Sequence, residues 1–141
     1  NVMITEFIDY KDLPLNFKGY CYVINDHTHY WFGEGLKLHN IKEPAVIRDN
    51  GTKKWCVNGK YHRLDGPAVM LFQGETQFWI DGRNFSQENY WKHPMVIKNK
   101  LELIQARLGS LNFKYRFFMC FNYSSDHELD FRYNSWFVSS R

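Results

Sequence analysis

The chain says one thing twice. His39 to Gly59 reads HNIKEPAVIRDNGTKKWCVNG and, 23 residues on, His62 to Gly82 reads HRLDGPAVMLFQGETQFWIDG. His39 matches His62, Pro44-Ala45-Val46 matches Pro67-Ala68-Val69, and Gly51 matches Gly74. Trp55 then matches Phe78, Val57 matches Ile80, and Asn58-Gly59 matches Asp81-Gly82. A fixed period with Gly and Pro held in place marks supersecondary units that stack because none buries its apolar face alone.

Each unit holds two apolar runs separated by turn residues. Ala45-Val46-Ile47 leads into Asp49-Asn50-Gly51, then Thr52 to Val57, then Asn58-Gly59. The next copy runs Ala68 to Phe72, Gln73-Gly74, Thr76 to Ile80, Asp81-Gly82. Asn-Gly and Asp-Gly favour turns that need φ > 0, so each unit reads as a β-hairpin. An earlier, degenerate copy follows the same plan, with Tyr20 to Ile24, a turn at Asn25-Asp26-His27, His29 to Phe32, and Gly33-Glu34-Gly35. One extra residue before His39 breaks its register.

After Arg83 the pattern changes. Ser86 suits the cap of a short helix through Tyr90-Trp91 that ends near His93-Pro94. Pro94 suits the first turn of a second helix, with Ile97, Leu101, Ile104 and Leu108 at helical spacing and Gly109 as terminator. From Asn112 the period becomes two, with Phe113, Tyr115, Phe117, Met119 and Phe121 on one face and Leu129 to Tyr133 as a return strand. The expected fold is mainly β (α+β) in a single domain, 1–141. Stacked antiparallel hairpins occupy 15–85, a helical cap covering one end or face of the sheet occupies 86–109, and a C-terminal hairpin occupies 111–139.

With 141 residues, such a chain is long enough to bury a core without staples. Aromatic residues make up 18% of it, a composition suited to half-buried pleated surfaces, and most of these rings are expected to line the core. A mean hydropathy of −0.53 argues against a membrane protein. The 3 cysteines, Cys21, Cys56 and Cys120, are scattered and odd in number, as in a reducing cytoplasm. The net charge of +3 falls well short of a nucleic-acid-binding tail. The chain opens on Asn1 rather than Met, from which a native start upstream is expected.

His62-Arg63-Leu64-Asp65-Gly66-Pro67 places a base, an anion holder and an orienter within one short loop, as an active site would. The other copy keeps the His and the Pro but has Asn40, Lys42 and Glu43 where Arg63, Asp65 and Gly66 stand, which is how a duplicated structural loop behaves. His27, His29, His39 and His62 suggest a metal. Repeat-equivalent histidines, however, stand about 9.6 Å apart if each unit adds two strands, too far for one zinc. Cys56 occupies the position of Trp79, which favours packing over nucleophilic chemistry. No catalytic residue, metal or cofactor is expected. Lys114, Arg116 and Arg132, interleaved with Phe113, Tyr115, Phe117, Phe131 and Tyr133, form the best candidate for binding single-stranded nucleic acid.

The period, the turn glycines and the N-G-K-x-H segment resemble MORN repeats, which are small stacked β-hairpins. Here the usual H-G-x-G is replaced by His62-Arg63-Leu64-Asp65-Gly66-Pro67-Ala68. That variant resembles the repeat of small accessory proteins of tailed bacteriophages and other large DNA viruses, over residues 28–94. The resemblance implies a non-enzymatic protein-interaction module of the host-cell cytoplasm that binds and inhibits or redirects a host or viral protein. The alternatives are a single-stranded nucleic-acid binder and a virion structural component. A protein partner is expected and a membrane is not, and the oligomeric state is open. The expected contact surface is the loop pair around His39 and Lys42 and around His62, Arg63 and Asp65, with exposed Trp31 and Arg83.

Overall fold

A computed structural model describes residues 5–109. The chain divides into two units, Asn1–Tyr90 and Trp91–Arg141. The described residues are mainly β. The first unit holds strands β1 (Glu6–Phe7), β2 (Gly19–Val23), β3 (Thr28–Phe32), β4 (Val46–Arg48), β5 (Lys53–Lys54), β6 (Cys56–Val57), β7 (Lys60–Tyr61), β8 (Val69–Met70), β9 (Thr76–Ile80) and β10 (Arg83–Phe85). Eight form one sheet in the order β1-β2-β3-β4-β5-β8-β9-β10, and β6 pairs with β7 separately. The sheet is mixed rather than wholly antiparallel, because β1 runs parallel to β2. Residues 5–14, outside the expected hairpin span, also carry a 3-10 turn at Tyr10–Asp12 closed by a capping box from Asp9.

The turns form where their residues permit. Asn58 and Gly59 have φ of 50° and 81°, and Asp81 and Gly82 have 48° and 79°. Two successive left-handed residues closing Val57 onto Lys60 and Ile80 onto Arg83 define the tight hairpin turn whose twist matches its strands. The extra residue of the degenerate copy is taken up in this same turn. Gly33 N–H donates to Lys37 O at 2.8 Å across three residues, of which Gly35 and Leu36 are left-handed. Two strand readings shift. Trp55 interrupts the run from Thr52 to Val57, and Leu71-Phe72 belong to the turn, where Leu71 N–H donates to Glu75 O at 2.8 Å.

Backbone bonds recur at the same 23-residue spacing. Gly59 N–H donates to Leu38 O at 2.8 Å and Gly82 N–H to Tyr61 O at 2.9 Å. Trp31 N–H donates to Ala45 O and Trp55 N–H to Ala68 O, while His39 N–H donates to Trp31 O and His62 N–H to Trp55 O. Trp31 therefore holds the backbone place that Trp55 holds one unit later. Ala45 and Ala68 are fully buried and Val46 and Val69 nearly so, which is why Pro-Ala-Val is common to both copies. A larger side chain has no room at either alanine.

At the N-terminal end, Leu13, Cys21, Val23 and Phe32 form a core cluster with Phe7, Phe17, Tyr30, Leu36 and Leu38 packed against it. Helix α1 (Gln87–Trp91) starts as expected, with the Ser86 hydroxyl accepting Asn89 N–H at 3.2 Å. In the second unit, α2 (Pro94–Arg107) opens on Pro94, and His93 is its cap, accepting Met95 N–H on Nδ1 at 3.1 Å. Val96, Ile104 and Leu108 are its buried positions, whereas Ile97 and Leu101 are only half-buried. The expected C-terminal hairpin, with Lys114, Arg116 and Arg132, lies outside the described residues.

Candidate functional site

The two loops singled out by sequence are bonded internally. His39 Nδ1 accepts Asn58 N–H at 3.0 Å, and His62 Nδ1 accepts Asp81 N–H at 3.0 Å. Each histidine thus fastens its loop to the left-handed turn of its own unit. The next residue differs between the copies in an informative way. Asn40 donates from Nδ2 to Pro44 O at 3.4 Å while its Oδ1 accepts Lys42 N–H and Glu43 N–H at 3.2 and 3.1 Å. Arg63 repeats the donor half, giving Nη1–H to Pro67 O at 3.0 Å, and adds a bond from Nε to Asp65 Oδ1 at 2.8 Å.

A guanidinium has no acceptor atom, so it cannot serve Gly66 N–H as Asn40 serves Glu43 N–H. Tyr90 does so instead. Its hydroxyl accepts Gly66 N–H at 3.2 Å and donates to Arg63 O at 2.5 Å, and the residue is fully buried. Burial pushes its phenol up to about 12, holding the hydroxyl protonated as a donor. Arg63 also lies flat on Trp55, with its guanidinium carbon 3.8 Å from the ring centroid. A Cβ on Gly66 would come within 3.1 Å of that same carbon, so a larger residue there requires the guanidinium to shift.

Of the remaining sequence candidates, Lys42 is exposed, and Arg83 is exposed with its guanidinium 5.9 Å from the Phe85 ring centroid. Trp31, expected to be exposed, is half-buried. It belongs to a site that sequence reasoning mostly missed. In β2 and β3 the smaller Cys21 and Val23 point into the core, and the rings of Tyr20, Tyr22, His29 and Trp31 share the opposite face. Tyr20 lies 5.0 Å from Trp31 between centroids, and Tyr22 lies 4.7 Å from His29.

Hydrogen bonds fix three of these rings, Tyr20, Tyr22 and His29. Tyr20 Oη stands 2.7 Å from His29 Nδ1, and His29 Nε2 faces Asp49 Oδ1 at 3.5 Å. Because a carboxylate can only accept, the ring proton sits on Nε2 and Tyr20 donates to Nδ1. Tyr22 donates to Asp49 Oδ2 at 2.5 Å, and that bond raises its phenol pKa first among several causes. Tyr20 is also raised, by burial and then by the negative charge of its surroundings, including Glu6 and Asp49. Neither hydroxyl is activated toward a phenolate. Beside Asp49, Asp26, His27, Arg48 and Asn50 line a groove of about 370 Å³ where the β2–β3 and β4–β5 turns meet.

Cys56 is buried and its thiol is pushed up to about 11 by desolvation, far from the thiolate a nucleophile needs. Of the candidate histidines, His27 lies in a left-handed turn position and His29 in β3. Among the described residues no group of three or more His, Cys, Asp or Glu is placed to hold a metal ion, and no helix is long and apolar enough to cross a membrane. Comparison with protein-family models, with curated proteins and with solved structures gives no match.

Proposed function

We propose that the chain is a stack of repeated hairpins that binds another protein through the Tyr20–Tyr22–His29–Trp31 face and carries out no chemistry of its own. The observation that supports this reading is the hydrogen bonding of half-exposed Tyr20, Tyr22 and His29, with Trp31 packed against Tyr20. Tyr20, His29, Asp49 and Tyr22 form one connected chain of contacts across the sheet face. Rings fixed before binding lose little rotamer freedom on docking, and Trp and Tyr are the residues that most often anchor interfaces. The loops around His39 and His62 spend their polar atoms within the chain, so in this reading they are framework rather than contact surface. The resemblance to viral accessory proteins names the partner class, a host or viral protein.

The test is affinity capture from a lysate, with and without nuclease, using the full chain. A stoichiometric protein partner that survives nuclease supports the reading. Recovery of nucleic acid alone sinks it and moves Lys114, Arg116 and Arg132 to the front.

A further inference from the structure

Each of three aromatic residues in equivalent backbone places meets a different neighbour on its ring. Phe78 is packed by Tyr90 at 4.7 Å between centroids, and Trp55 is covered by the Arg63 guanidinium at 3.8 Å. Trp31 sits in the same backbone place, but the residue in Arg63's position is Asn40, whose amide is spent on Pro44, Lys42 and Glu43. Among the described residues no cation lies over Trp31; its ring contact is with Tyr20. Among the described residues the cation–π pair is thus complete at Trp55 and half-built at Trp31.

We propose that the half-exposed Trp31 ring receives an arginine side chain from the protein partner, stacked on it as Arg63 is on Trp55. This rests on the protein-binding reading above and gives its partner a chemistry, a basic segment. The charge of the face agrees. Glu6 lies opposite Tyr22 in the sheet register, Asp49 accepts from Tyr22, and both make the surroundings of Tyr20, the neighbour of Trp31, more negative. Lys18, two residues before Tyr20, is neutralised by Glu34 at 2.6 Å. Lys53 stands two strands from β3 on one side as Glu6 does on the other, yet of these charges Glu6 and Asp49 are the ones that act on Tyr20; with Lys42 in the place of Asp65, they are the carboxylates left for the partner's arginine. Indole is the best ring for a guanidinium, and the attraction grows as water is excluded. The same carboxylates repel phosphate, which argues against nucleic acid on this face.

The probe is a hexa-arginine peptide, with hexa-glutamine and hexa-glutamate as controls, titrated into the full chain. The readout is the Trp31 indole N–H resonance, assigned by its loss in Trp31→Phe. Hexa-arginine is expected to shift that resonance saturably and the controls are not. Asn40→Arg should fill the site from within the chain and weaken the peptide response about tenfold or more. Should Asn40→Arg fail to fold, Trp31→Leu, followed by peptide-induced shifts of neighbouring backbone amides, must show the same loss. No shift, an equal shift with hexa-glutamine, or an unchanged response in the variant overturns the proposal. Loss of the lysate partner in Trp31→Ala without any arginine response would overturn it while leaving the protein-binding reading in place.

Discussion

The Tyr90 hydroxyl accepts Gly66 N–H at 3.2 Å, across 24 residues of chain, and supplies the acceptor that Arg63 lacks and Asn40 has. Removing it in Tyr90→Phe strands a buried backbone donor and should cost about 1–3 kcal/mol, read by urea unfolding. Arg63→Asn restores an acceptor in the loop. The double variant should therefore be less destabilised than the sum of the two single changes, and strict additivity would refute the relationship.

The hairpin turns make a second prediction. Gly59 has φ of 81°, a left-handed conformation that a Cβ disfavours, so Gly59→Ala should lower stability by about 1–2 kcal/mol. Asn58→Asp should be tolerated, because Asp81 already fills the matching place with φ of 48°. A thermal melt of each variant decides.

Burial sets the behaviour of the thiols. Cys21 and Cys56 are 0% and 1% exposed, and each is pushed up to about 11. In the native chain at neutral pH both should resist iodoacetamide for as long as the fold holds, and both should react at once in urea. Peptide mass mapping distinguishes them from Cys120. Rapid native labelling at Cys21 or Cys56 would contradict the packing.

Alkaline pH should destabilise the fold. Unfolded thiols and phenols ionise near 9.0 and 10.0, whereas folded Cys21 and Cys56 hold their protons to about 11 and Tyr90 to about 12. In that window the unfolded chain binds fewer protons than the folded one, so unfolding free energy falls as pH rises. The contribution is whole below pH 9.0 and is lost progressively toward about 12. Urea midpoints measured across that range should drop, with part of the drop absent in Tyr90→Phe.

The hairpins were legible because their signals are local. Asn58-Gly59 and Asp81-Gly82 name the backbone conformation they adopt, and Ser86 and Pro94 mark helix starts by the bonds they make or lack. Contacts between distant segments were not legible. The Glu6–Phe7 strand is two residues long and runs parallel to a partner sixteen residues away, with no turn residue to announce it. Alternation in Tyr20 to Val23 shows two faces but not which one is buried. The packing of Leu13, Phe7 and Phe17, from outside that strand, against the Cys21 and Val23 side is what buries it. The bond from Tyr22 to Asp49 spans 27 positions and leaves no periodic trace.

The most direct test of the account sets the ring face against the loops. The partner captured by the full chain is titrated against wild type, Trp31→Ala in the face, and Ile41→Ala, whose side chain is 78% exposed in the 39–44 loop. With both variants folded, the account predicts a loss of about tenfold or more for Trp31→Ala and little change for Ile41→Ala. The opposite pattern, with Ile41 required and Trp31 dispensable, would contradict it.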